Sequence, residues 1–505
     1  MRSSSLVAAV AGLLVTVNAM SIAPRLDPTP GLCTMGIENA VSDIPGGAKM
    51  PDQPVTSAQA YIVGTDGIQT NERSTNNVPG RSSILRENAE RCFRPRQLLY
   101  PGFDKTVRFN LESGKLGIDA VLNAAVAYTV DSHWAFMIRD PQHLEKAQRS
   151  GVRATRALRL AIQRPGRDLA NTIAVAVLAL KHAEYFMHLH DFSYQSHVVA
   201  QSALLKAQWS SGHWDQLQED ILRTVWLEEI EEAVFAGTIS ELDDPLRHEV
   251  RARAVLPEND TLTNMYLYCM EQCVLVPRLV CLVRKCTSEP NEPLIQETMS
   301  LAERIYGRDN QVYYEDLLRQ NSAVESRCQG SLNPLGRSLV FLSTRIFVLT
   351  GVYYMYRNMI CGLILRMMDA VTVAGSSFDR ATVEHEDVRA AENIVMCVEH
   401  AFNCSQGDPP FKAMRLHDPI TMAYGAWSRL ARRESTASPP ERGRGEAMKG
   451  VCKAIVARIM DLWHAGPDLL EIFEATADAF EAGPTLPEMS RRGKAWKETL
   501  TPRTP

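Results

Sequence analysis

Residues 219–236 read Glu-Asp-Ile-Leu-Arg-Thr-Val-Trp-Leu-Glu-Glu-Ile-Glu-Glu-Ala-Val-Phe-Ala, and Gly237 follows. Ile221, Val225, Trp226, Ile230 and Val234 recur at the spacing of one helix face. Gly237 stands where a glycine of positive φ closes a helix. The other face carries Glu228, Glu229, Glu231 and Glu232.

The same period extends in both directions. Asp168, just after the Pro165-Gly166 break, is placed to cap a helix reaching Met187. Its run Thr172-Ile-Ala-Val-Ala-Val-Leu-Ala-Leu180 is apolar on nearly all sides, so a central position is expected. Further helical stretches are expected at 141–163, 191–208, 260–286, 292–306, 311–327, 335–370, 385–404 and 414–433. Val451, Ile455, Ile459 and Trp463 form one late stripe, and Leu469, Phe473 and Phe480 another. No sustained period-two alternation interrupts them. The expected fold is all-α: a large multi-helix body over 100–485, with Trp134, Trp226 and Ile230 as core residues.

The termini read differently. Met1 to Ala19 combines a basic start, the apolar run Leu6–Val17 and small residues before Ala19. It reads as a secretory signal peptide or a misassigned start. Residues 20–95 are expected to be a disordered linker. Positions 20–90 hold seven Pro, seven Gly and one aromatic residue, Tyr61, too little apolar surface to offset ordering entropy. Residues 486–505 read as a disordered basic tail. Leu339 to Met368 is strongly apolar but carries Arg345, Arg357 and Arg366, so a buried helix is expected there, not a membrane span.

Composition narrows the function. The 505 residues carry 54 Lys+Arg against 59 Asp+Glu, a net charge of −5, which argues against a body built to coat nucleic acid. Eleven Cys over such a length do not make a disulfide scaffold. The Gly-x-Ser-x-Gly elbow, the phosphate loop, Gly-x-Gly-x-x-Gly and His-Glu-x-x-His are all absent.

Four constellations could carry chemistry. His182, His188, His190 and His197 with Asp191 contain metal-ligand residue types. His188 and His190, however, would point to different sides of a helix, so solvated helix-end histidines are expected. Cys269, Cys273, Cys281 and Cys286 lack the Cys-x2-Cys knuckle that folds around zinc and read as core residues, with Pro277 kinking their helix. Asp243-Asp244 with Glu249, and Asn259-Asp-Thr-Leu-Thr263, are similar to the magnesium-holding motifs of class I terpene synthases. The closing carboxylate is missing, since position 267 is Leu, and the two stretches lie too close to face each other. Asp243-Asp244-Pro245 therefore reads as a loop and helix start. Arg432, Arg433, Arg442 and Arg444 read as a solvated loop before a nuclear-import signal. No catalytic, cofactor-binding or metal residue is assigned, and no cofactor is expected.

One family resemblance covers residues 132–238. His133-Trp134-Ala-Phe136 with Asp140-Pro141 is similar to the entry helix of the regulatory domain of fungal-specific transcription factors, which accompanies Zn(2)-Cys(6) clusters. Val152–Gln163, Asn171–Leu180, His197–Ala207 and Val225–Gly237 resemble its later helices. Lys206-Ala-Gln-Trp-Ser-Ser-Gly212 replaces the Arg-Gly-Gly turn of that family. The first 130 residues contain only Cys33 and Cys92, so the six-Cys cluster cannot be built there. The resemblance implies a nuclear, non-enzymatic transcriptional regulator or accessory regulator. It would work through protein partners, such as another fungal transcription factor, and touch DNA only indirectly. The alternatives are a secreted or secretory-pathway helical protein and an all-α enzyme of unrecognised type. Asn259-Asp-Thr261 and Asn403-Cys-Ser405 are sequons that the secreted reading would use.

Overall fold

The computed structural model describes residues 85–89, 119–163, 169–187, 194–254, 256, 258–326, 332–370, 378–403, 410–435, 443–464, 468–487 and 489. The signal-like residues 1–19, nearly all of the 20–95 segment and most of the 486–505 tail lie outside them. Among the described residues the body is all-α apart from one two-stranded hairpin.

Side-chain capping sets several helix starts. Asp119 accepts hydrogen bonds from the Val121 and Leu122 amides and opens Ala120–Ile138. Asp140, followed by Pro141 in the first turn, opens Pro141–Ile162. Asp215 and Gln218 form a reciprocal capping box ahead of Gln216–Ala236, which Gly237 closes at φ 69°. A side chain on Gly237 would also strike Thr485, so the close crossing of the C-terminal segment adds to the φ requirement.

Gln216–Ala236 is the axis of the fold. It packs against Leu169–Met187, Gln195–Ser210, Thr261–Val274, Val276–Ser288 and Asp468–Phe480. Contact on so many sides buries its charged face as well as its apolar one: Glu219, Glu228, Glu229 and Glu232 are all buried. Such burial is tolerable only when each charge is paired. Glu228 receives hydrogen bonds from the Lys181 amine at 2.8 Å and the Tyr185 hydroxyl at 2.7 Å. Glu229 accepts from Ser240 and from the Glu241 amide. Arg251 holds Glu219 through two nitrogens, at 2.6 and 2.7 Å, and continues to Glu271, which Arg247 also grips twice.

The second layer is built on Thr344–Ala370, whose side chains are buried almost throughout. It packs against Arg380–Val395 and His417–Glu434. By length and hydropathy this helix, and the stretch Thr261–Ser288, could cross a membrane; here 94% and 67% of their most apolar windows are buried against protein. The burial of Thr344–Ala370 matches the core-helix expectation.

Several helix boundaries differ from expectation. The 311–327 and 335–370 stretches are interrupted by strands Ser322–Ser326 and Arg337–Phe341, which pair antiparallel with Ser322 opposite Phe341. Five-residue strands are too short to show a period in sequence. Their place is decided by Leu339 and Phe341, which are buried, and by the Leu339 amide bonding the Met396 carbonyl. The 260–286 stretch divides at Leu275, just before Pro277, into Thr261–Val274 and Val276–Ser288. The 385–404 stretch divides into Arg380–Val395 and Val398–Phe402, and the 414–433 region into Phe411–Arg415 and His417–Glu434. Trp226 and Ile230 are core residues, at 2% and 0% exposure. Trp134 is only half-buried, because it sits on the outward side of Ala120–Ile138 and packs at the edge of the core.

Candidate functional site

The constellations singled out in sequence separate in space. His182 and His197 are buried, which corrects the expectation of solvated helix ends; His188, His190 and Asp191 lie outside the described residues. The His182 Nδ1 donates to the Leu178 carbonyl one turn back, at 2.8 Å. Burial, then the neighbouring Lys181 charge, lowers its pKa from 6.5 to about 3. The unfolded chain therefore takes up a proton that the folded chain refuses. Stability contributed by neutral His182 is complete above pH 6.5 and is lost as pH falls toward 3. At pH 5 the loss is expected to be on the order of 2 kcal/mol. Urea titrations at pH 5 and pH 7.5 on the parent and on His182→Gln test this. An equal pH-dependent loss in both proteins would remove His182 as its source.

Cys269, Cys273 and Cys286 are buried and Cys281 is half-buried; all four are free thiols. Burial pushes Cys269 up to about 12, and raises Cys273, Cys361, Cys397 and Cys452 as well. A neutral, enclosed thiol is a poor nucleophile. In the native protein a charged thiol reagent should label Cys281 among these, and reach the buried ones only in denaturant. Peptide mapping after a short pulse reads this directly, and rapid native labelling of Cys273 would contradict it.

Asp244 caps Pro245–Arg253, as its Asp-Asp-Pro setting implied, and Asp243 is held by Arg278 at 2.7 Å. Asp260 caps Thr261–Val274 and is clamped by Arg345 through both carboxylate oxygens. These acids thus have structural partners. Among the described residues no group of three or more His, Cys, Asp or Glu is arranged to hold a metal ion. The solvated-loop expectation for the arginines is corrected: Arg432 and Arg433 lie in the last turn of His417–Glu434 and pair with Glu481 and Glu384, and Arg444 opens the helix Arg444–Trp463 and pairs with Glu392; Arg442 lies outside the described residues.

An open site forms elsewhere, where two helix ends meet. Ala120–Ile138 ends at Arg139 with φ 61°, and Arg444–Trp463 ends at His464 with φ 54°. Both residues adopt the left-handed conformation that favours glycine. They face a cleft of about 480 Å³, with Phe136, Leu144, Phe186 and Trp463 among its walls. Trp463 lies 5.0 Å from Phe136 and 6.1 Å from Phe186, centroid to centroid, the latter nearly parallel at 17°. Phe411 backs both Phe186 and Trp463. The indole of Trp463 is fixed by its hydrogen bond to the Pro410 carbonyl.

At the rim Asp140 is occupied: it accepts from the His143 amide and ring nitrogen, both at 2.8 Å. Arg139 is exposed and has no ion-pair partner among the described residues. Partial burial, then the Arg139 charge, lowers the pKa of His464. The cleft can therefore hold a flat apolar body beside one unneutralised cation. A volume in the range of small-molecule pockets, apolar walls and few polar groups are the ordinary attributes of a ligand site.

No site residue was assigned from sequence here, although Phe136, Asp140-Pro141 and Trp463 were each noticed for other reasons. The walls come from segments some 330 residues apart, Phe136 and Trp463 at the extremes, and no local period links them. Compared with protein-family models, curated proteins and solved structures, this chain shows no match.

Proposed function

We propose that the chain is a non-enzymatic, effector-responsive regulator of transcription, acting through its helical body and reaching promoters through a protein partner. The observation that supports it is the aromatic cleft at Arg139 and His464, a ligand-sized opening with an exposed guanidinium at its rim. The six-Cys pattern is missing from residues 1–130, so DNA contact is assigned to the partner, such as a complete member of the family that 132–238 resembles. On this reading the protein is nuclear, carries no stoichiometric zinc and does not by itself retain naked DNA sequence-specifically.

Fluorescent tagging at the C-terminus, with transcript profiling after gene deletion, tests the proposal. Nuclear signal and a change in a defined gene set are expected. Tagged protein found only in the culture medium, with Met1 to Ala19 removed, would instead establish the secreted reading.

A further inference from the structure

We infer that the cleft between Arg139 and His464 takes a flat aromatic carboxylate. This rests on the reading of the cleft as an effector site and names the chemistry of the effector.

The shape argument comes from the rings. Phe186 and Trp463 stack within 17° of parallel, while Phe136 is tilted by 37° against Trp463 and 47° against Phe186. Trp463 is 4% exposed and pinned at its nitrogen, whereas Phe136 and Phe186 are half-buried and present part of their surface to the opening. Leu144 is 45% exposed at the mouth and Met187 adds a polarisable thioether. Aromatic edges and faces at such spacings favour another π-system over a bulky aliphatic one. A flat ring system also loses little conformational freedom on binding.

The charge argument separates anion from cation. The rim carboxylate, Asp140, already receives two hydrogen bonds from His143, which hold its pKa below the usual carboxylate value. A cationic ligand would have to compete for it. Arg139 has five N–H donors and no acidic partner among the described residues, and it faces the same opening. Guanidinium and carboxylate match as a planar, bidentate pair. The left-handed backbone of Arg139 fixes where this side chain leaves the helix end, next to Phe136 three residues earlier. A carboxylate at the rim with its ring between Leu144 and the aromatic wall would satisfy both features.

The test uses the full-length protein and two probes of equal shape, 2-naphthoate and the neutral 2-naphthalenemethanol, measured by calorimetry. Two variants accompany them. Arg139→Gln removes the charge at an exposed position, and Leu144→Trp fills the mouth from an exposed position, so neither disturbs the core. Saturable one-to-one naphthoate binding is expected, weakened about tenfold by Arg139→Gln and abolished by Leu144→Trp, with the alcohol bound more weakly and indifferent to Arg139→Gln. If both probes bind alike, both are blocked by Leu144→Trp and neither senses Arg139→Gln, the carboxylate assignment fails while the cleft stands as a binding site. If neither probe binds, or binding ignores Leu144→Trp, the cleft itself is excluded and the effector reading falls with it.

Discussion

Replacing Trp226 with alanine is expected to destabilise the protein by about 3–5 kcal/mol, the range for removing a large aromatic side chain from a core. Trp226 is 2% exposed on the axial helix and lies edge-on to Tyr266, at 6.2 Å between ring centroids. Its indole nitrogen donates to the Tyr266 hydroxyl at 2.8 Å, and that hydroxyl donates onward to the Arg223 carbonyl at 3.1 Å. Truncation therefore opens a cavity and also removes a donor from a buried hydroxyl. Trp226→Phe retains most of the volume but not the donor, and should cost less. Because domains are commonly stable by only about 5–15 kcal/mol, the alanine variant should show a large drop in urea midpoint. An unchanged midpoint would mean that Gln216–Ala236 is not the axis of the fold.

The second large effect is expected at Arg429, whose ion pairs tie His417–Glu434 to Arg380–Val395 and to the residue just after Asp468–Phe480. Its guanidinium reaches Asp387 twice, at 2.8 and 2.6 Å, and also pairs with Glu481. Asp387 in turn accepts from Asn358 on Thr344–Ala370, at 3.0 Å. Space for the ion pair exists because Gly362 and Gly425 carry no side chain: an added methyl on Gly362 would press on the Arg429 guanidinium, and one on Gly425 would strike the Glu481 carboxylate. Arg429 is 7% exposed and Asp387 is fully buried. Arg429→Ala leaves that carboxylate uncompensated and is expected to cost about 3–5 kcal/mol. The double variant Arg429→Met with Asp387→Leu should recover part of the loss, because the fully buried Asp387 carboxylate goes together with its partner, while Glu481 is left with Arg432 alone. Thermal unfolding of the parent, Arg429→Ala, the double variant and its single changes Arg429→Met and Asp387→Leu decides it. A double variant no better than the sum of its single changes would show that the cost comes from packing, not from an orphaned charge.

The sequence by itself determined the helical class and many of the helices, because these follow from chemistry a few residues long. Gly237 ends the axial helix where its position implied, Asp244-Pro245 begins a helix, and Pro277 lies just inside the helix that begins after the break at Leu275. The burial of Cys269, Cys273 and Cys286 was legible too, since small apolar thiols without zinc spacing have few other uses. What sequence could not show depended on partners distant along the chain. The glutamates of 228–232 look like a polar face until Lys181, Tyr185 and Ser240 come to meet them. His182 looks like a helix-end histidine until packing closes over it. Trp134 looks like a core residue until the neighbouring helices leave its side uncovered. The short hairpin and the cleft are tertiary in the same sense. Strand pairing joins Ser322 to Phe341, and the aromatic wall joins Phe136 to Trp463. A residue's burial is set by everything that packs on it, whereas its helical period is set by its nearest neighbours. Only the second is written locally in the chain.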